Sequence, residues 1–362
     1  MKLSLSKLAL LATASMLPLA VQTASADPAA KPMYTVLPAH GSIHHYAHTP
    51  TALQTWNGTI TYSGHTYNTT MVGTNPANTN TTTTVTIYLI PVKMKYSKKI
   101  YGKADKETFD PEKDQWNGET VMNALLNSPL FTTMDWKWGS SDMGTTQYED
   151  AFQRGSFWGE VGGTNTAYHV LFATPTVLTE QTIKVTKAMG GNVINNPFGS
   201  GKVGEMNIND FDNFIQSTLS KFSQINPSNF PFFIVDNVYL TSGGCCIGGY
   251  HSADNNGQTY GMASFVTASG AFSQDIDAFS HEFGEWVDDP LITSESPCGL
   301  LEVGDPLEGL ANYGTFPVNV NGITYHPQAL AFLEYFGAPA NFSANNWLDN
   351  QHLLSSVCQN GQ

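Results

Sequence analysis

Polar and apolar residues alternate along TWNGTITYSGHTYNTTMVG (55–73), broken by glycines, which predicts two short strands. The polar, low-complexity run TNPANTNTTTT (74–84) predicts a loop or linker. VTIYLIPVKMKY (85–96) is apolar on both faces at its centre and predicts a strand, with Pro91 marking an edge or a bulge. A helix is expected between Gly118 and Ser128, stopped by Pro129, and strands over 166–177 and 182–189. Phe211, Phe214, Ile215, Leu219 and Phe222 recur at helical spacing within 208–225. FPFFIVDNVYLTS (230–242) predicts one buried strand, and GGCCIGGYHSADNNG (243–257) a loop rich in Gly and Cys. A second helix is expected near 274–288, ended by Pro290, and the loop-rich remainder holds a short hairpin within 315–327. The order of elements predicts an α/β or α+β class, a mixed sheet with flanking helices. A small β-rich N-terminal region with its linker (27–84) precedes an α/β domain (85–362).

The first 26 residues change the picture of where the chain works. Lys2 and Lys7 precede an apolar run from Leu8 to about Val21, and Ala24-Ser25-Ala26 forms a small-x-small cleavage site. The run is too short for a membrane span, so residues 1–26 read as a signal peptide cleaved after Ala26, and the mature chain is expected to be secreted or periplasmic, without a membrane span. Loss of those two lysines takes the formal charge from −14 to −16, and Arg154 is the single arginine. Nucleic acid is excluded as a partner, because phosphate binding needs clustered Lys and Arg. Export and an even cysteine count favour disulfides among Cys245, Cys246, Cys298 and Cys358. The simplest pairing ties each of the adjacent cysteines to one of the distant pair; a vicinal bridge with Cys298–Cys358 is the other.

The candidate chemistry sits on SQDIDAFSHEFGEWVDDP (273–290). At about 100° per residue, Asp277, Glu285 and Asp288 fall within roughly 40° of His281, opposite Ile276, Phe279, Phe283, Trp286 and Val287. Residues four apart share a helix face, so His281 and Glu285 can bind one ion, and zinc accepts both imidazole nitrogen and carboxylate oxygen. Glu282 is then placed to take a proton from water as general base. LLEVGDPLEG (300–309) offers a further ligand: Glu302 is the first choice and Asp305 the second, because Asp305 in DPLE also reads as a helix N-cap; Asp289 is a third. His251 is a candidate to orient substrate or stabilise an oxyanion, with Tyr260 and His326 behind it. HGSIHH (His40, His44, His45) reads as a mobile arm. Against all this stands a simpler reading, in which the polar stripe is the solvated face of a helix.

SHEFGEWVDDP (280–290), followed by LEVGD and a late cysteine, resembles a group of exported bacterial HExxE metallopeptidase-like proteins, with Asp288 where that pattern has Thr. The N-terminal strands look similar to theirs as well. The resemblance implies a secreted zinc-dependent endopeptidase acting on a protein or peptide substrate, carried by His281, Glu282, Glu285 and Glu302. The Cys/Gly-Tyr-His segment is more distantly similar to plant exordium (phosphate-induced) proteins, which implies the rival: a non-catalytic cell-envelope or carbohydrate-associated protein. Its acidic residues Asp288, Asp289, Glu302 and Asp305 would suit Ca2+ in place of Zn2+.

Overall fold

The computed structural model describes residues 33–36, 53–97, 107–138, 141–162, 165–197, 199–268, 273–302, 305, 315–328 and 335–336. Twelve strands form one mixed sheet: β1 (Met33–Val36), β2 (Thr82–Tyr96), β3 (Thr108–Phe109), β4 (His169–Phe172), β5 (Thr176–Val177), β6 (Gln181–Val185), β7 (Asn192–Asn195), β8 (Lys202–Asn207), β9 (Asn229–Asp236), β10 (Val238–Thr241), β11 (Cys245–Ala253) and β12 (Thr259–Phe265). Its spine runs β4-β2-β9-β12-β11-β10-β8-β7. The helices are α1 (Val121–Leu126), α2 (Tyr148–Ser156), α3 (Trp158–Val161), α4 (Ile208–Leu219) and α5 (Asp277–Asp288).

Side chains alternate across a strand, and here the alternation divides the core between two faces. Phe230, Phe232 and Ile234 of β9 pack with Phe279, Phe283 and Trp286 of α5. Phe233 and Val235 pack on the other side with Phe211 and Ile215 of α4. Trp286 lies flat on Phe230, with ring centroids 3.9 Å apart. These aromatic contacts fix α5 across β11 and β12, with α2 alongside.

The two short strands expected within 55–73 pair as a hairpin, Thr55–Tyr62 with His65–Val72, and the hairpin expected within 315–327 forms from Val318–Val320 and Ile323–Tyr325. Ser63-Gly64 and Asn321-Gly322 have positive φ at both turn residues, as a tight hairpin turn requires. The first hairpin belongs to the main body. Met71 and Val72 join the α5 cluster, and Thr70 N donates to Ser294 Oγ (2.9 Å) just past that helix.

Several expectations are corrected. Pro91 lies in an interior strand, paired with Ile234 on one side. On the other side β5 ends at Leu89 and β6 begins at Val92, so the residue without an N–H falls where that ladder is interrupted. Residues 230–242 form two strands, broken at Asn237, whose φ is 49°. The sequences 166–177 and 182–189 give β4 with β5 and β6 with a 3-10 turn, and α4 stops at Leu219. The Gly and Cys segment is not a loop. It is β11, hydrogen-bonded between β10 and β12 and buried on both faces, so no polar alternation marked it as a strand. Cys245 and Cys246 are bonded to each other, which overturns the pairing of each with a distant cysteine; Cys298 is also disulfide-bonded. Residues 1–26, His40, His44, His45 and Cys358 lie outside the described residues. Among the described residues no helix is long and apolar enough to cross a membrane.

Candidate metal centre

The polar stripe of α5 is not solvated: all twelve helix residues are buried. His281 and Glu285 face each other one turn apart, His281 Nε2 lying 3.0 Å from Glu285 Oε1. Asp305 Oδ1 approaches the same nitrogen at 3.2 Å. From β11, His251 Nδ1 lies 3.4 Å from Glu285 Oε2 and 3.4 Å from Glu282 Oε2. Glu285 therefore stands between two imidazoles, one on each oxygen.

The back of each ring is held by an acceptor. His251 Nε2 donates to the Asp289 carbonyl at 3.1 Å, and His281 Nδ1 donates to Gln328 Oε1. In a neutral ring this leaves the lone pair on the nitrogen that faces Glu285, the tautomer a metal ligand needs. Gln328 is itself pinned: its N–H donates to Ser280 Oγ (2.8 Å) and its carbonyl accepts from Tyr148. Neither Gln328 nor the Asp289 carbonyl carried a sequence signal, because their roles arise from where the chain returns.

Among the described residues, three sets have ligand atoms lying within 4.8 Å of one another. One is Glu205 with Cys245 and Cys246, whose sulfurs are already joined. The others are His281/Glu285/Asp305 and His251/Glu282/Glu285. The structure thus brings Asp305 to the His281–Glu285 pair. Glu302, the first choice from sequence, lies beside this set and outside it, close enough for Glu285 and Asp305 to act on its charge. Tyr260 points to the opposite face of the sheet, where it and Tyr250 donate to Asp212 at 2.8 and 3.1 Å. His326 pairs with Asp275 (2.7 Å) at a separate 470 Å³ cleft that also includes Trp116 and Gln274.

The electrostatics describe a pocket with more negative charge than its imidazoles balance. Burial pushes Glu282 up to about 8, with Glu285 adding to the shift and His251 opposing it. Burial would raise Glu285 too, but His281 and His251 hold it down at about 2. Burial and Glu285 lift Asp305 to about 6, and burial lifts Asp289 to about 7. Burial disfavours the charged form of both histidines, yet the carboxylates prevail and hold them well above the ordinary value. The metal-free pocket binds protons where a cation would sit, and a divalent ion would displace them. Nitrogen and carboxylate donors in one buried set, each imidazole oriented from behind, fit a zinc-type ion.

No family profile, curated protein or solved structure matches the chain.

Gly249 completes the site. It lies two residues before His251 on β11 and so faces α5 with it. A Cβ at Gly249 would come within 2.7 Å of Glu282 Cγ and Oε1 and 3.0 Å of the Met262 carbonyl. The bare backbone is what seats Glu282. Gly249→Ala is expected to displace that carboxylate and to destabilise the fold by about 1–3 kcal/mol, which thermal denaturation beside the wild type checks. The period-2 relation of Gly249 to His251 was the available signal, hidden once 243–257 was read as a loop.

Glu149 of α2 is a buried acid beneath the site that sequence reasoning passed over. Burial, then Asp288, hold it well above the ordinary carboxylate range, and His281 pulls the other way. Because the folded protein keeps a proton there that the unfolded chain loses, its contribution is present below the unfolded value, near 4.3, and declines as pH rises from there toward the folded value. Glu149→Gln is expected to raise the thermal midpoint, measured in chelator, at pH 7–8 by a few degrees and to flatten its decline with pH. Calorimetry across that range checks it.

Proposed function

We propose that the protein is a secreted zinc-dependent endopeptidase that hydrolyses peptide bonds. The observation that carries this reading is the set of His281 Nε2, Glu285 and Asp305 within 4.8 Å, with Glu282 adjacent on the same helix. Three protein ligands with room for water are the usual composition of a catalytic zinc site, and the ion would supply Lewis acidity toward water and a substrate carbonyl. Glu282, next to His281 on the same helix, is the general base. His251 would position Glu282 through its 3.4 Å contact. Of the three ligands only Asp305 has an exposed side chain, 21 %, and water would enter from that side. The leader-like residues 1–26 support export, and the resemblance of SHEFGEWVDDP supports a peptide substrate.

The competing calcium-binding, non-catalytic reading draws on the acids Asp288, Asp289, Glu302 and Asp305. Two imidazoles in the same pocket disfavour it, since calcium prefers oxygen donors throughout. Casein zymography with and without o-phenanthroline tests the proposal. Clearing that disappears with chelator and returns with added zinc is expected. Clearing indifferent to chelator, or calcium bound in place of zinc, would overturn it.

A further inference from the structure

We propose that the pocket contains a second zinc site formed by His251, Glu282 and Glu285, and that its occupation inhibits the enzyme. The inference rests on the catalytic zinc reading given above.

Three observations carry it. The two ligand sets share Glu285, but one contains His281 and the other His251, and among the described residues no set within 4.8 Å contains both imidazoles. One ion cannot satisfy both rings at these positions, whereas a carboxylate with an imidazole on each oxygen is placed to bridge two ions. The separations of His251 Nδ1 from Glu282 Oε2 and Glu285 Oε2 are both 3.4 Å. Charge-assisted hydrogen bonds run at about 2.7–2.9 Å. Ligand atoms arranged tetrahedrally at about 2.0–2.2 Å from a zinc lie about 3.3–3.6 Å apart, which is the spacing found. Finally, Glu285 Oε2, one of the two oxygens that face His251, is fully buried with no donor in hydrogen-bonding geometry among the described residues, and His251 is fixed from behind by the Asp289 carbonyl so that its other nitrogen faces both carboxylates.

The consequence follows from which residues are shared. An ion at the second site engages the carboxylate of Glu282, which is then unable to accept a proton from water. Like-charge repulsion from the first ion, together with a bridging carboxylate already partly neutralised, makes the second site the weaker one. Activity should therefore rise as the first site fills and fall at higher free zinc.

The test is equilibrium dialysis of the mature chain against buffered free zinc, with zinc per chain and turnover read on the same samples. Two zincs per chain at saturation are expected, the second binding at least ten-fold more weakly and reducing turnover ten-fold or more. X-ray absorption should then show a zinc–zinc distance of about 3.5–4 Å. His251→Ala should saturate at one zinc and lose the inhibited limb relative to its own maximum. A wild-type isotherm that saturates at one zinc would overturn the second site whether or not the variant folds, and would leave the catalytic reading standing. Two zincs retained in a folded His251→Ala would overturn the location. No zinc at any concentration would overturn the catalytic reading itself.

Discussion

Glu282→Gln is expected to lower turnover by about 10²–10⁴-fold while zinc content stays at the wild-type level in protein dialysed at low free zinc. The change keeps the shape of the side chain and removes its basicity. Glu282 is not in the His281/Glu285/Asp305 set, so the ion should stay. The amide can still meet His251 and still fits over Gly249, so the packing of α5 on β11 is preserved. Turnover and zinc measured together decide the matter. A variant that keeps full activity removes Glu282 from catalysis, and one that loses zinc makes Glu282 a ligand of the first site.

His281→Ala should bring zinc in low-zinc dialysed protein from about one per chain to near none and abolish activity. The accompanying stability effect is the second large expectation. A ligand that binds only the folded state at about a thousand times its Kd adds about 4.1 kcal/mol, so chelation should lower the wild-type thermal midpoint markedly and leave that of His281→Ala almost unchanged. Zinc binding to the wild type near neutral pH should also release protons, because His251 and His281 are held well above their ordinary values without the ion. Calorimetric titration in two buffers of different ionisation enthalpy measures that number. A wild type that neither loses stability on chelation nor releases protons would argue against a buried ion at His281.

The helix that carries the chemistry was legible because its two stripes obey a period of 3.6. Phe279, Phe283 and Trp286 find the sheet, while His281 and Glu285 meet one turn apart, as the spacing requires. The alternative, a solvated polar face, failed for a reason no helical wheel contains: β11, Asp305 and Gln328 cover the stripe. His251 was legible as a candidate and misplaced as a loop residue. Its strand is buried between two others, where uniform burial erases the alternation that reveals an exposed sheet. Glu302 and Asp305 were both within reach by separation along the chain, and the approach of Asp305 Oδ1 to His281 at 3.2 Å distinguishes them.

By itself the sequence determined what depends on neighbours along the chain. These are the 3.6-residue rhythm of α5, the two strands within 55–73, the hairpin within 315–327, the end of α5 before Pro290, and the pairing of His281 with Glu285. Tertiary structure decided what depends on residues far apart. It bonded Cys245 to Cys246, set Gly249 under Glu282, held His281 with Gln328, and brought His251 to the second oxygen of Glu285. Local periodicity follows from backbone geometry and survives in any short stretch. The meeting of β11, α5, Asp305 and Gln328 follows from burying two faces of one sheet, and no single stretch encodes it.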